Sequence, residues 1–293
     1  MQAIEGARRN GNSRASGLSL ALKKAAWAYR LATAPMRLLP DFIVIGTAKG
    51  GTTSLYSYLA QHPFILPAVR KEVRFFDDHF HRGLTWYRAF FATQAVRRLL
   101  VQRSRSNVVT GESSPFYLYH PVVAERVHRA LPRAKLIVLL RNPIDRAYSY
   151  YHHSIRHRRE DRSFEAAIAE ELARPGPVIG VPKRPVGGPL RRPPYPYLSP
   201  GIYVEQLQAW ARFFPREQFL VLRSEDFFAD PSRVFAKVLE FLGIQPWQPP
   251  HFQVFNDGVY SPMDARTRAQ LSEYFRPHNQ RLYEYLGVNL GWD

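Results

Sequence analysis

Phe42-Ile-Val-Ile-Gly-Thr-Ala-Lys-Gly-Gly-Thr-Thr-Ser54 decides the fold of this chain. Its first four residues form a continuous apolar run rich in β-branched side chains, the pattern of a strand buried on both faces of a parallel sheet. A glycine-rich turn follows, and Thr52 to Gln61 reads as a helix. Strand, glycine turn and helix together make a ready anion site, because glycines let the backbone approach and the helix N-terminus adds positive potential. Lys49 and the hydroxyls of Thr52, Thr53 and Ser54 supply further donors. A nucleoside-triphosphate P-loop has its lysine after the last glycine. Here Lys49 precedes Gly50 and Gly51, which moves the charge towards the strand. Taken alone, the turn fits either a phosphate cradle or a plain strand-to-helix turn whose Gly-Gly meets a backbone constraint.

Two further apolar runs extend the pattern. Lys135-Leu-Ile-Val-Leu-Leu140 is followed by Asn142-Pro143 and a helical stretch to about residue 158, with proline well placed in a first turn. Gln218-Phe-Leu-Val-Leu222 follows a helix expected over Ile202 to Phe214. Strands alternating with helices predict an α/β fold, a P-loop-like three-layer sandwich with a central parallel sheet flanked by helices. This domain is expected to cover residues 41–293.

Residues 1–40 read as a basic leader, partly disordered or helical, with Glu5 its only acid. Leu18 to Leu39 suits a basic helix carrying Trp27 and Tyr29, which either lies on a membrane surface or packs on the domain. Its apolar part is broken by Lys23, Lys24, Arg30, Pro35 and Arg37, whereas a secretory or spanning segment needs a longer clean run. A soluble, cytoplasmic protein is therefore expected, with peripheral membrane contact through this segment as the variant. At about 174–200 a proline-rich basic loop carries Lys183, Arg184, Arg191 and Arg192. Breakers at that density exclude regular structure and suit a flap near an acceptor site.

The 293 residues, 45% of them hydrophobic, can bury a large core. Lys and Arg number 41 against 24 acids, a formal charge of +17, which implies an anionic partner or surface. No zinc finger, RNP signature or heptad-linked basic region is present, so nucleic acid is not the expected partner. With no cysteine there is no disulfide framework, thiolate metal site or thiol nucleophile. The competing classes are a P-loop nucleotide kinase or phosphotransferase and a non-catalytic polyanion binder. Against the kinase stand the displaced lysine and the lack of an aspartate ending an apolar strand to hold magnesium.

Three blocks in this order carry a resemblance: Phe42 to Ser54, Lys71-Glu-Val-Arg-Phe-Phe-Asp77, and Leu136-Ile-Val-Leu-Leu-Arg-Asn-Pro-Ile-Asp-Arg-Ala-Tyr-Ser149. Gly111 to Tyr117, Phe213 to Gln218 and Glu225 to Pro231 support them. From Phe42 to about Gly287 the chain resembles the sulfotransferase family, in the branch holding bacterial members and the heparan-sulfate glucosamine sulfotransferases. The resemblance implies 3′-phosphoadenosine-5′-phosphosulfate (PAPS) as co-substrate and no metal. The implied acceptor is a hydroxyl or amine of a glycan, a glycolipid or a small molecule.

By the same resemblance, Lys49, Gly50, Gly51, Thr52, Thr53 and Ser54 hold the 5′-phosphosulfate end of the donor, and Arg141 and Ser149 hold its 3′-phosphate. An arginine at a strand's carboxyl end does face the crevice where open α/β sheets bind ligands, and its planar fork suits phosphate. Glu72 is implied as general base, with Lys49 stabilising the leaving oxygen and Asp77 as a second acid of the same block. Without the family, Glu72 reads as a surface ion pair with Lys71, Arg70 or Arg74. His79 is the second candidate base; His81 and His120 read as structural or solvated. Many relatives have histidine where Arg74 stands, and the heparan-sulfate enzymes carry lysine where Ser113 stands, so acceptor specificity does not carry over. Arg74 is instead a candidate contact for an anionic acceptor. The run Arg156-His-Arg-Arg159 reads as a solvated helix end.

Overall fold

Two of the three apolar runs become the middle of a parallel sheet and the third its edge. In the computed structural model, which describes residues 20–173, 196–253, 255, 258 and 260–292, β1 (Phe42–Gly46) lies between β3 (Val109–Ser113) and β4 (Lys135–Leu140). β2 (Ile65–Pro67) and β5 (Phe219–Arg223) complete the order β2-β3-β1-β4-β5, with every neighbouring pair parallel. Parallel neighbours need long crossovers, and helices supply them. They are α1 (20–32), α2 (Thr52–Leu59), α3 (Gly83–Arg88), α4 (Gln94–Ser104), α5 (Val123–Ala130), α6 (Pro143–Arg156), α7 (Phe164–Ala173), α8 (Tyr203–Ala211), α9 (Ser224–Ala229), α10 (Pro231–Leu242) and α11 (Ala265–Leu286).

Side chains alternate across a strand, and the central strands divide accordingly between two cores. Phe42, Val44, Ile137 and Leu139 pack with Leu55 and Leu59 of α2 and Val234 and Val238 of α10. Ile43, Ile45, Leu136, Val138 and Leu140 pack with Ala147 of α6, Leu207 of α8 and Leu271 of α11. This is the three-layer α/β sandwich expected from the sequence. Element ends shift by one to three residues: α2 stops at Leu59, α6 at Arg156 and α8 at Ala211.

The segment before Asp41 packs onto the domain. Trp27 meets the rings of Phe90 and Trp86 at centroid distances of 4.9 and 6.2 Å, and Ala34 is fully buried. Arg30 and Arg37 both donate to the Phe91 carbonyl, at 2.9 and 2.8 Å. So Trp27, one of the two aromatic residues available for lipid, is turned inward, while Tyr29 stays exposed. Among the described residues no helix is long and apolar enough to cross a membrane. Most of the proline-rich stretch, 174–195, and the first 19 residues lie outside the described residues. Where the chain returns, the Glu171 carboxylate accepts the N–H groups of Leu198 and Ser199 at 2.9 and 3.0 Å.

Gly111 faces Phe42 across the β1–β3 ladder, and a Cβ there would sit 2.5 Å from Phe42 Cε1. The Phe42 ring is fully buried and has nowhere to move. Gly111→Ala should therefore destabilise the fold by about 1–3 kcal/mol, the scale of core overpacking, read as a lower denaturant midpoint at unchanged slope.

Candidate active site

The turn after β1 is hung across the sheet. Thr47 N–H donates to the Leu139 carbonyl of β4 at 2.9 Å, and Gly50 N–H closes the turn on the Thr47 carbonyl at 2.9 Å. Ser224 Oγ, at the start of α9, donates to the Gly50 carbonyl at 2.8 Å. Gly50 is required by space, since a Cβ would lie 2.7 Å from the Leu139 carbonyl oxygen. Gly51 is required by conformation: it caps α2 at φ 90°, where side chains are strained. No side chain caps that helix start, which leaves its first amides for an external anion.

A second cationic group stands beside the first. Arg141 follows β4 and donates from Nη1 to the Lys49 carbonyl at 3.1 Å, with its guanidinium 5.7 Å from the Phe228 ring centroid. The turn into α6 is set by Asn142, whose side chain accepts the Ile144 N–H at 3.0 Å, and by Pro143 at the first helical position. Asn142 N–H is held at 2.8 Å by Glu225, which explains the sequence block at the start of α9. Ser149 lies on the inner face of α6 and lines the same cleft, a space of about 650 Å³. The structure thus brings Lys49, Gly51, Thr52, Thr53, Ser54, Arg141 and Ser149 together around one opening. Gly50 shapes it from behind.

The cleft is strongly electropositive. Lys71, Arg74, His153 and Arg159 also line it, and among its described lining residues Glu72 is the only carboxylate. Burial lowers the Lys49 ammonium to about 8, helped by the neighbouring charges of Arg156, Arg141 and Lys71. Burial, with Lys49, His157, Arg159 and Arg156 nearby, pushes His153 down to about 4, so it is a neutral imidazole at neutral pH. His153 and Arg159 were not assigned to the site from sequence. His153 lies four residues beyond Ser149, on the same helix face, and that spacing was the available signal.

The acid–base block divides. Glu72 lines the cleft with its side chain 40% exposed, paired with Lys71 at 3.0 Å. Asp77 does not reach the cleft lining. Its side chain is 1% exposed and accepts Nε and Nη2 of Arg74 at 2.9 and 2.7 Å. Arg74 therefore meets the cleft as a guanidinium already tied to Asp77, with Asp78 at 3.3 Å. Neither His79 nor His120 is part of the lining. His79 packs against Trp86 at 5.1 Å and burial lowers its pKa. Glu112, on β3, is fully buried behind this loop, and burial pushes its carboxyl up to about 7. Among the described residues no three His, Cys, Asp or Glu side chains come together as a metal site.

Comparison with known proteins points to one family. The sulfotransferase domain profile covers residues 39–258. The chain is 28% identical to the membrane-associated sulfotransferase kil1 of Dictyostelium discoideum, over 87% of this chain and 66% of that protein. It is 32% identical to the bifunctional heparan sulfate N-deacetylase/N-sulfotransferase 3 of Homo sapiens, over 85% of this chain but only 30% of that protein. It thus spans less than two thirds of either relative. Among solved structures, a sulfotransferase from Alicyclobacillus acidocaldarius is 31% identical, with a TM-score of 0.63 over 87% of this chain and 99% of that one.

The expectation of a cytoplasmic protein is corrected by these relatives. It rested on a broken apolar run, and a relative named as membrane-associated aligns along most of the chain. The physical reason is that a broken run argues only against a spanning helix there; it says nothing about attachment by other means. Fold, glycine turn, second cationic group and comparisons converge on one assignment: the chain belongs to the sulfotransferase family.

Proposed function

We propose that this chain transfers a sulfuryl group from PAPS to a hydroxyl or amine of a carbohydrate or glycolipid acceptor, with Glu72 as general base. The observation that carries the proposal is a single cleft joining two cationic groups, Lys49 and Arg141, to one carboxylate, Glu72. The family's donor supplies an activated sulfuryl group on a 5′-phosphate and a separate 3′-phosphate. The residues present fit it: an uncapped α2 start with Lys49 for one anionic end, and Arg141 with Ser149 for the other.

Each residue then has a defined task. Lys49, charged and partly desolvated, stabilises negative charge on the phosphate oxygen that leaves as the S–O bond breaks. Glu72 accepts the proton that the acceptor loses as its oxygen or nitrogen bonds to sulfur. Lys71, 3.0 Å away, pairs with that carboxylate and orients it. Positioning carries most of the burden, since transfer of such a group needs alignment and charge stabilisation more than covalent help. The heparan-sulfate specificity named for one relative, and the cationic rim of Lys71, Arg74 and Arg159, favour an anionic glycan as acceptor.

Three outcomes test this reading. 3′-Phosphoadenosine-5′-phosphate (PAP) at a hundredfold excess over its Kd should stabilise the protein by about 2.7 kcal/mol. Lys49→Ala or Arg141→Ala should weaken its binding about 10- to 100-fold, as for loss of one charged hydrogen bond. Denaturant unfolding with and without PAP reads the first and calorimetric titration the second, and no binding at millimolar PAP would contradict the proposal.

Glu72→Gln should keep PAP affinity within about twofold while losing at least about 100-fold in kcat, the scale of general-base catalysis. Full activity would move the base elsewhere.

PAP affinity should also depend on pH through Lys49. The bound anion favours the ammonium, whereas the free site loses its proton above about 8. Affinity should be flat below pH 8 and fall up to about tenfold per unit above it. Lys49→Arg should remove that fall.

A further inference from the structure

The loop that carries Glu72 is fastened at every second amide to the end of β3 and the residues just after it. Glu72 N–H donates to the Ser113 carbonyl at 2.9 Å, Arg74 N–H to Ser114 Oγ at 3.1 Å, and Phe76 N–H to Tyr117 Oη at 3.2 Å. Two of these three acceptors are hydroxyls, whose own hydrogens must point elsewhere. Both go to Glu112: Ser114 Oγ donates to Oε2 at 2.8 Å and Tyr117 Oη to Oε1 at 3.3 Å. Tyr87 Oη adds a third hydrogen bond to Oε1 at 2.6 Å. The carboxyl is fully buried, and its hydrogen-bond partners among the described residues are these three hydroxyls.

The fastenings work against backbone strain. Glu72 and Arg74 both adopt positive φ, 58° and 54°, a region that residues with a side chain occupy only when their surroundings hold them there.

We propose that Glu112 is a positioning residue for the reaction: its carboxylate takes the hydrogens of Ser114 and Tyr117, leaves both oxygens as acceptors for the Arg74 and Phe76 amides, and so holds Glu72 at the cleft. The catalytic half of this inference rests on Glu72 being the base; the structural half does not. Glu112 touches neither donor nor acceptor groups in the cleft lining and acts only through the loop.

Protonation of Glu112 should loosen the loop at Arg74 or Phe76, through reversal of the Ser114 or Tyr117 hydroxyl. An ionised carboxylate only accepts, so all three hydroxyls can donate to it; a carboxylic acid must place its own hydrogen, and one of the three has to reverse. The groups facing Glu112 are Tyr56 from α2, Tyr87 from α3, Tyr117 after β3, and Asp77 from the loop, itself bound by Arg74. Burial pushes all three tyrosines up, so they remain donors while Glu112 titrates near 7. A raised carboxyl pKa makes the protonated form the more comfortable one in the folded protein. Global stability is therefore not lost on acidification through 7 by this group, whereas loop order is.

Hydrogen exchange of the Arg74 and Phe76 amides, corrected for intrinsic rates between pH 5.5 and 8.5, tests this directly. The wild-type protein should protect both amides above pH 7, and below it the amide whose hydroxyl reverses, Ser114 for Arg74 or Tyr117 for Phe76, should lose about tenfold in protection, as for loss of one hydrogen bond. Glu112→Gln places an amide N–H₂ or a neutral oxygen opposite the hydroxyls; it should fold, keep PAP binding, show low protection at every pH, and lose about tenfold in kcat. Ser114→Ala should expose the Arg74 amide alone, and Ser114→Thr should restore it. Unchanged protection in Glu112→Gln, or in Ser114→Ala should the former not fold, overturns the proposal. Full activity of Glu72→Gln would refute Glu72 as base while leaving the amide readout intact, so the two failures are distinguishable.

Discussion

The glycine turn after β1 cannot move independently of the sheet, and the rest of the site depends on that constraint. Its amide at Thr47 is bound to β4, its carbonyl at Gly50 to Ser224 after β5, and its carbonyl at Lys49 to the Arg141 side chain. The two cationic groups are therefore set relative to each other before any ligand arrives. That is what preorganisation means physically: the orienting work is done in folding, so less ordering remains for binding and for the reaction. Adjacency of β1 and β4 is in turn fixed by the apolar alternation that sends Val44 and Ile137 to one core and Ile45 and Val138 to the other.

Such a site carries a cost in the free protein. Cations crowd a partly desolvated cleft, and burial, with the neighbouring positive charges, lowers the pKa of both Lys49 and His153. Non-glycine residues at positive φ, Lys49 in the turn and Glu72 and Arg74 in the acid–base loop, add strain at the same place. Both features are of the kind that active sites retain at the expense of stability. A doubly anionic ligand would relieve the first, and hydrogen bonds to Ser113, Ser114 and Tyr117 hold the loop of Glu72 and Arg74 against the second.

Legibility in the sequence followed burial pattern. β1, β4 and β5 are apolar runs and were readable; β2 has three residues and β3 reads Val-Thr-Gly-Glu-Ser, so neither showed as a strand. The polarity that hid β3 has a physical reason, because Glu112 is buried there among the hydroxyls of Ser114, Tyr117 and, from α3, Tyr87. Motif spacing brought Lys49, Arg141 and Ser149 to one cleft, since a turn and a strand end are local devices. It failed to separate Glu72 from Asp77, because only the fold decides that Arg74 turns back onto Asp77. His153 and Arg159 were missed as a lone histidine and a helix-end charge, which is what such residues usually are on an exposed helix. The helix reaches the cleft because Ile144 and Ala147 pack into the core beside β4.

The central claim is that one cleft performs sulfuryl transfer with a bound adenosine 3′,5′-bisphosphate end and an acceptor beside Glu72. Its most direct test is incubation of the full chain with PAPS carrying radioactive sulfur and a panel of desulfated glycosaminoglycans, glycolipids and simple alcohols. The account predicts label transferred to at least one glycan or glycolipid, with loss of transfer in the Lys49→Ala protein. Absence of transfer to any carbohydrate by a folded protein that binds PAP, or equal transfer by Lys49→Ala, would contradict it.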